Sequence, residues 1–232
     1  MPPEKVEEKD KPIEYPVQDL SVLRGITWRA QNSCSEPMEI ENYFELDKKR
    51  PHLVQLIDAV SKYFHVPALL IRTTLYAESR FQHAVAGDTH LEGGSVGIGQ
   101  FRPGTWAEIR KEAGFRQFMK NSYGMYKFER GENILADIAA CAQLIKNIAA
   151  RFEINLNRPP SLVEVLTIRA RYTGWKNIPK IVENYKNKRS IPKALQEFLA
   201  KYELFSSQIV EDRKKKERQS MGDDMCNWMM NV

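Results

Sequence analysis

Apolar residues recur in steps of three and four along most of this chain, a spacing that predicts helices. Leu53, Leu56, Ile57, Val60 and Phe64 follow Pro51, a residue suited to a helix's first turn, and mark one amphipathic helix. A second is expected from about Pro67 to Glu78. The longest runs from about Glu132 to Phe152, where Ile134, Ile138, Cys141, Ile145, Ile148 and Phe152 form one stripe. After Pro159 and Pro160, Ser161 caps a helix through Leu162, Val165, Leu166 and Ile168 to Tyr172, which ends at Gly174. Further helices are expected at Pro103–Gly114, with Trp106 and Ile109 facing inward, at Asn177–Tyr185 and from Ile191 to about Phe205. Phe115 to Phe128 reads as a short helix and loop against the core or as part of a groove wall. No segment sustains strand alternation, and only the loop from Gln82 to Gly97 leaves room for a short β-hairpin. The fold class predicted is mainly α.

The same pattern divides the chain. Residues 1–16 are charged and rich in proline, and read as a disordered lead-in. Residues 17–50 form an N-terminal extension with a weak pattern: Leu20, Val22, Leu23, Ile26 and Trp28 suit a short packed segment, and a short helix is expected between Ser35 and Arg50. The globular domain spans 51–205. Residues 206–232 are a charged tail whose charged part reads as a solvated helix extension; it closes on Met225, Trp228, Met229 and Met230, an end that reads either as a docking segment or as disordered.

Composition narrows the class without deciding it. The 232 residues suffice for one domain with extensions, and the net charge of +5 with a pI near 9.0 favours an anionic polymer or surface. Nucleic acid is not required by that charge and is not expected as a partner; binding of DNA through Arg213 to Arg218 rests on charge alone and ranks lowest among the readings. The three cysteines, Cys34, Cys141 and Cys226, are far apart and odd in number, which supplies neither a disulfide framework nor metal-ligand spacing. The opening residues lack the apolar run of a secretory signal, and no segment has transmembrane length.

Candidate chemistry gathers between Thr73 and Pro103. Glu78 follows Ile71, Thr74 and Leu75 at helical spacing and shares their face, so its carboxyl points toward the core. Apolar surroundings favour the protonated form, which suits a general acid; pairing with an arginine is the competing outcome. A glycine-rich turn then delivers Gln100. The loop between holds His83, Asp88, His90 and Glu92, whose spacing matches no familiar zinc or calcium pattern, so no metal and no cofactor are expected.

Three short patterns in this order resemble the lytic transglycosylase domain of the SLT type, in the goose-type lysozyme-like superfamily. They are Glu78-Ser79 followed by Phe81; Ser95-Val96-Gly97-Ile98-Gly99-Gln100-Phe101 with Pro103 and Thr105; and Ala170-Arg171-Tyr172-Thr173-Gly174. Asn133-Ile134 opens a long helix between the second and third. The likeness covers about Leu53 to Tyr185. It departs from the family at Gly99, where methionine is usual, at Thr173, where asparagine is usual, and in the longer loop between Phe81 and Gly97.

The resemblance implies a lysozyme-like helical domain that cleaves the β-1,4 bond between N-acetylmuramic acid and N-acetylglucosamine in peptidoglycan. Glu78 would be sole acid and base, giving 1,6-anhydromuramic products. Ser79, Gln100, Tyr172, Thr173 and Gly97 would contact substrate or steady the carboxylate, with a helix-end backbone hydrogen bond equally open for Ser79; Trp106, Tyr123 and Tyr126 are candidate stacking surfaces, with core packing expected for at least one. Two alternatives stay open: a hydrolytic muramidase in which Asp88 or Glu92 positions water, and a non-catalytic wall-binding or virion module. A peptidoglycan enzyme without a leader points to a phage virion component or an endolysin, with virion or secretion-apparatus partners at the terminal extensions.

Overall fold

The computed structural model describes residues 20–87 and 93–230, with side chains through residue 220. The expected lead-in therefore lies outside the described residues. Twelve elements follow in order: α1 (Leu23–Ser33), α2 (Glu45–Lys49), α3 (Pro51–Phe64), α4 (Ala68–Ser79), β1 (Ala86–Gly87), β2 (Ser95–Val96), α5 (Pro103–Ile109), α6 (Ala113–Tyr123), α7 (Ile134–Arg151), α8 (Leu162–Tyr172), α9 (Ile178–Lys186) and α10 (Lys193–Met230). The protein is mainly helical, and its two short strands pair antiparallel, Ala86 with Val96 and Gly87 with Ser95.

α7 is the central rod. Its start is capped by Asn133, whose Oδ1 accepts from Ala136 N at 3.0 Å. Small residues such as Ala136, Ala139, Ala140 and Ala142 are fully buried along it, which lets α1, α3, α4, α5, α6 and α8 approach closely. α8 opens on a capping box: Ser161 accepts from Glu164 N while the Glu164 carboxylate returns to Ser161 N. α10 packs on α4 and α8 through Leu195, Phe198, Leu199, Tyr202 and Phe205.

Two expectations need correction. The stretch from Pro103 to Gly114 is not one helix: α5 ends at Ile109, and α6 begins at Ala113. The 17–50 extension is no separate appendage, because Leu20, Leu23, Ala30, Cys34, Met38, Ile40 and Leu46 belong to the same buried core as α3 and α7. Val22 and Trp28, in contrast, are exposed. The last helix runs on past Phe205, as expected of the charged part of the tail, and its backbone continues to Met230; up to residue 220 lysine, arginine, glutamate and glutamine favour helix with their side chains mostly exposed. Among the described residues no helix is long and apolar enough to cross a membrane.

Candidate functional site

An open cleft of about 520 Å³ lies between the hairpin and turn on one side and α8 on the other. Glu78, Gln100, Phe101, Arg102, Thr105, Tyr172 and Thr173 line it. Residues nearly a hundred positions apart thus meet because α4 delivers Glu78 in its last turn while α8 runs past it.

Glu78 does not stand in the apolar setting expected from its helix face. Its carboxylate accepts a hydrogen bond from Arg169 Nη1, and the two side chains are only 14 % and 8 % exposed. Arg169 also stacks on Phe198 of α10, with Cζ 4.9 Å from the ring centroid. The unliganded site therefore holds a charge-assisted pair. Sequence reading missed Arg169 although it lies three residues before Tyr172 on α8, at the spacing that puts two residues on one helix face.

Tyr172 donates its hydroxyl hydrogen to the Gly99 carbonyl at 3.0 Å. Burial pushes this phenol well above the usual tyrosine range, and the neighbouring Cys141 and Glu78 push the same way. The group is a neutral hydroxyl throughout the working pH range, with its hydrogen committed to the turn.

The glycine turn serves the protein before it serves any ligand. Gln100 has a left-handed backbone, φ 52°, held by its own amide: Nε2 donates to Val85 O at 3.0 Å and Gly97 O at 2.8 Å, and Oε1 accepts from Ser95 Oγ at 2.8 Å. Both amide hydrogens are used, so toward a ligand the side chain offers only what acceptor capacity Oε1 has left. Gly97, with φ 84°, was expected at the substrate. It lies instead against α7, and a Cβ there would stand 2.1 Å from Asp137 Oδ2. At Gly99 a Cβ would meet Phe101 Cε2 at 2.4 Å, so the Phe101 ring occupies the room a longer side chain would need.

Of the two roles open to Ser79, steadying the carboxylate or bonding backbone at the helix end, its hydrogen bonds are those of the second. Its hydroxyl donates to Leu75 O at 3.2 Å and to Ile98 O at 2.8 Å, tying the end of α4 to the turn. Thr173 Oγ1 donates to Arg169 O at 2.9 Å, which finishes α8 at the cleft rim. Trp106 is buried and donates Nε1–H to Phe128 O at 3.2 Å, and neither it nor Tyr123 or Tyr126 lines the cleft, so the stacking role assigned to these three is not supported. Asp88, His90 and Glu92 lie outside the described residues, and His83 is buried beneath the turn. Among the described residues no group of three or more His, Cys, Asp or Glu side chains is placed to hold a metal ion.

A scan against protein-family models finds no match, and comparisons with curated proteins and with solved structures find none either. The cleft's chemistry is therefore argued from its own residues.

Proposed function

We propose that this chain is a lytic transglycosylase of lysozyme-like fold, cleaving the bond between N-acetylmuramic acid and N-acetylglucosamine in peptidoglycan. What supports the reading is the convergence of Glu78, the Gly97–Gln100 turn and Tyr172 on one open cleft, in the order the sequence resemblance implies. The cleft holds one carboxylate among its described lining residues, which suffices if the substrate supplies its own nucleophile.

In that mechanism protonated Glu78 gives its proton to the glycosidic oxygen as the C1–O bond breaks. The substrate's acetamido group stabilises the positive charge at C1. The Glu78 carboxylate then takes the proton of the muramoyl C6 hydroxyl as that oxygen bonds C1, which closes the 1,6-anhydro ring and restores the acid. Tyr172, which lines the cleft with Glu78 and whose hydroxyl is held by Gly99 O, would set the polarity around the protonated acid, and Arg169 suits the carboxylate that follows.

The ion pair with Arg169 also favours a second reading, a wall-binding or virion module in which Glu78 is structural. Purified peptidoglycan separates the two. The Glu78→Gln variant keeps an oxygen that accepts from Arg169, so it should fold and bind while losing lysis. Undiminished lysis would remove Glu78 from catalysis, and a wild-type protein that binds strands without cutting them would establish the module. Product mass tests the remaining alternative: anhydro ends are one water lighter than the reducing ends that hydrolysis through Asp88 or Glu92 would leave.

A further inference from the structure

Under the turn lies a polar pair that the chemistry above does not use. Asp137, in the first turn of α7, is fully buried, and His83, in the loop after α4, is 6 % exposed. Asp137 Oδ1 accepts from Gly131 N at 3.1 Å, and the Ile98 N–H also faces the carboxyl group. Asp137 Oδ2 and His83 Nδ1 are 4.0 Å apart, and neither has a partner that meets hydrogen-bond geometry. On its far side the imidazole Nε2 lies 3.1 Å from Gln31 Nε2 of α1. Gly97 touches the same carboxyl and tolerates no Cβ there.

Two buried polar atoms facing each other across a gap are expensive in a core unless they serve something. On one side the gap is walled by the segment that positions the cleft: Ile98 and Gly97 are the turn itself, and Ser79 beside Glu78 bonds Ile98 O. We propose that Asp137 and His83 are positioning residues, a buried acid–imidazole pair that pins the Gly97–Gln100 turn to α7 and so sets the Gly99 carbonyl and Gln100 at the cleft. The pair's connection to catalysis rests on the transglycosylase reading; its hold on the turn does not.

The charges around the pair allow a clean test. Burial pushes the Asp137 carboxyl up from 3.8 to about 8, with Gly131 and Ile98 opposing it, and burial alone pulls His83 down from 6.5. From α7 the nearest further titratable group is Cys141, whose thiol burial holds up at about 12. From α1 the facing group is the uncharged Gln31. Of the neighbours in the loop before α7, Arg130 bonds the carbonyls of Gly93, Gly94 and Phe101, and Glu132 accepts from Glu129 N. A raised carboxyl keeps in the folded state a proton that the unfolded chain has lost, so Asp137 weakens folding as pH rises from about 4 to about 8. His83 acts in the opposite sense below 6.5, and the buried thiols of Cys34 and Cys141, raised from 9.0, act above about 8, which leaves pH 7 to 8 as the window for Asp137.

The experiment compares wild type, Asp137→Asn and Asp137→Leu by thermal unfolding across that window and by hydrogen exchange of the Gly97, Gln100 and Phe101 amides. Wild type should lose thermal midpoint as pH rises, and Asp137→Asn, which cannot ionise, should not. Asp137→Leu should speed exchange of the turn amides at least tenfold while α3 and α8 keep their protection. If it fails to fold, the Asn variant carries the test through its pH response alone. A wild-type slope retained in Asp137→Asn, or turn amides as slow in a folded Asp137→Leu as in wild type, overturns the proposal. Neither measurement needs substrate, so a failure here is distinct from a failure of the peptidoglycan reading. On peptidoglycan, the activity of Asp137→Asn should persist on the alkaline side, where wild-type activity falls.

Discussion

Arg169 of α8 and Glu78 of α4, 91 residues apart in the chain, share a hydrogen bond at the head of the cleft with little water around either side chain. Removing one partner of such a pair weakens the compensation of the other buried charge, at a cost of up to about 3–5 kcal/mol. Arg169→Met should therefore lower stability near neutral pH. The deficit should shrink on acidification, because a carboxyl that has lost part of its compensation can shed its charge by taking a proton. Urea melts at pH 4.5 and 7.5 check this; an equal loss at both would show that packing on Phe198, and not charge, is what Arg169 contributes.

Tyr172 offers a narrower test of the same cleft. Tyr172→Phe deletes the donor to Gly99 O and keeps the ring against Phe101, whose centroid is 6.3 Å away. The expected stability loss is about 1 kcal/mol. If the hydroxyl serves Glu78 as proposed, peptidoglycan cleavage should fall by about 10²-fold, the scale of losing one preorganised polar group in a site. A variant with wild-type rate and reduced stability would make Tyr172 a brace for the turn and nothing more.

The helices and the site were not equally legible in the sequence. α3, α4, α7 and α8 could be placed because periodicity, Pro51 and the Ser161–Glu164 box are local signals, written within a few residues of what they specify. The convergence of Glu78, Gln100 and Tyr172 was expected only through ordered motifs, since nothing local ties α4 to α8. What stayed hidden depends on three-dimensional neighbours: Arg169 reads as one more cation on a helix, and Asp137 as a polar interruption of an apolar stripe. The backbone ties of Gln100 and Ser79 depend on such neighbours too. A side chain that lines a cleft in sequence logic can spend every hydrogen it has on the backbone beneath it.

The Phe101 ring explains why Gly99 suits this chain. A side chain at 99 must displace that ring, so Gly99→Met alone should cost about 1–3 kcal/mol through overpacking. Paired with Phe101→Leu, which vacates the space, the two losses should partly cancel, giving a coupling of about 0.5–3 kcal/mol in a double-mutant cycle. Strictly additive losses would mean that the ring and position 99 do not compete.

The 20–50 segment should prove inseparable from the domain that carries the cleft. Leu20, Leu23, Met38, Ile40 and Leu46 are all buried in the common core. Each contributes about 1.5–3 kcal/mol by leaving water, so together they supply on the order of 10 kcal/mol, comparable with the whole stability of an ordinary domain, about 5–15 kcal/mol. Arg50 adds a polar tie across the same boundary: Nη1 donates to Phe81 O at 2.9 Å, just past Glu78, and Nη2 to Glu36 O at 2.6 Å. A chain beginning at Arg50 would lose Glu36 and the apolar cover of α3 together, and should show no cooperative unfolding transition by circular dichroism. A truncated chain that melts cooperatively at the full-length midpoint would show that residues 51–205 stand alone, and that the segment before them covers the core without holding it.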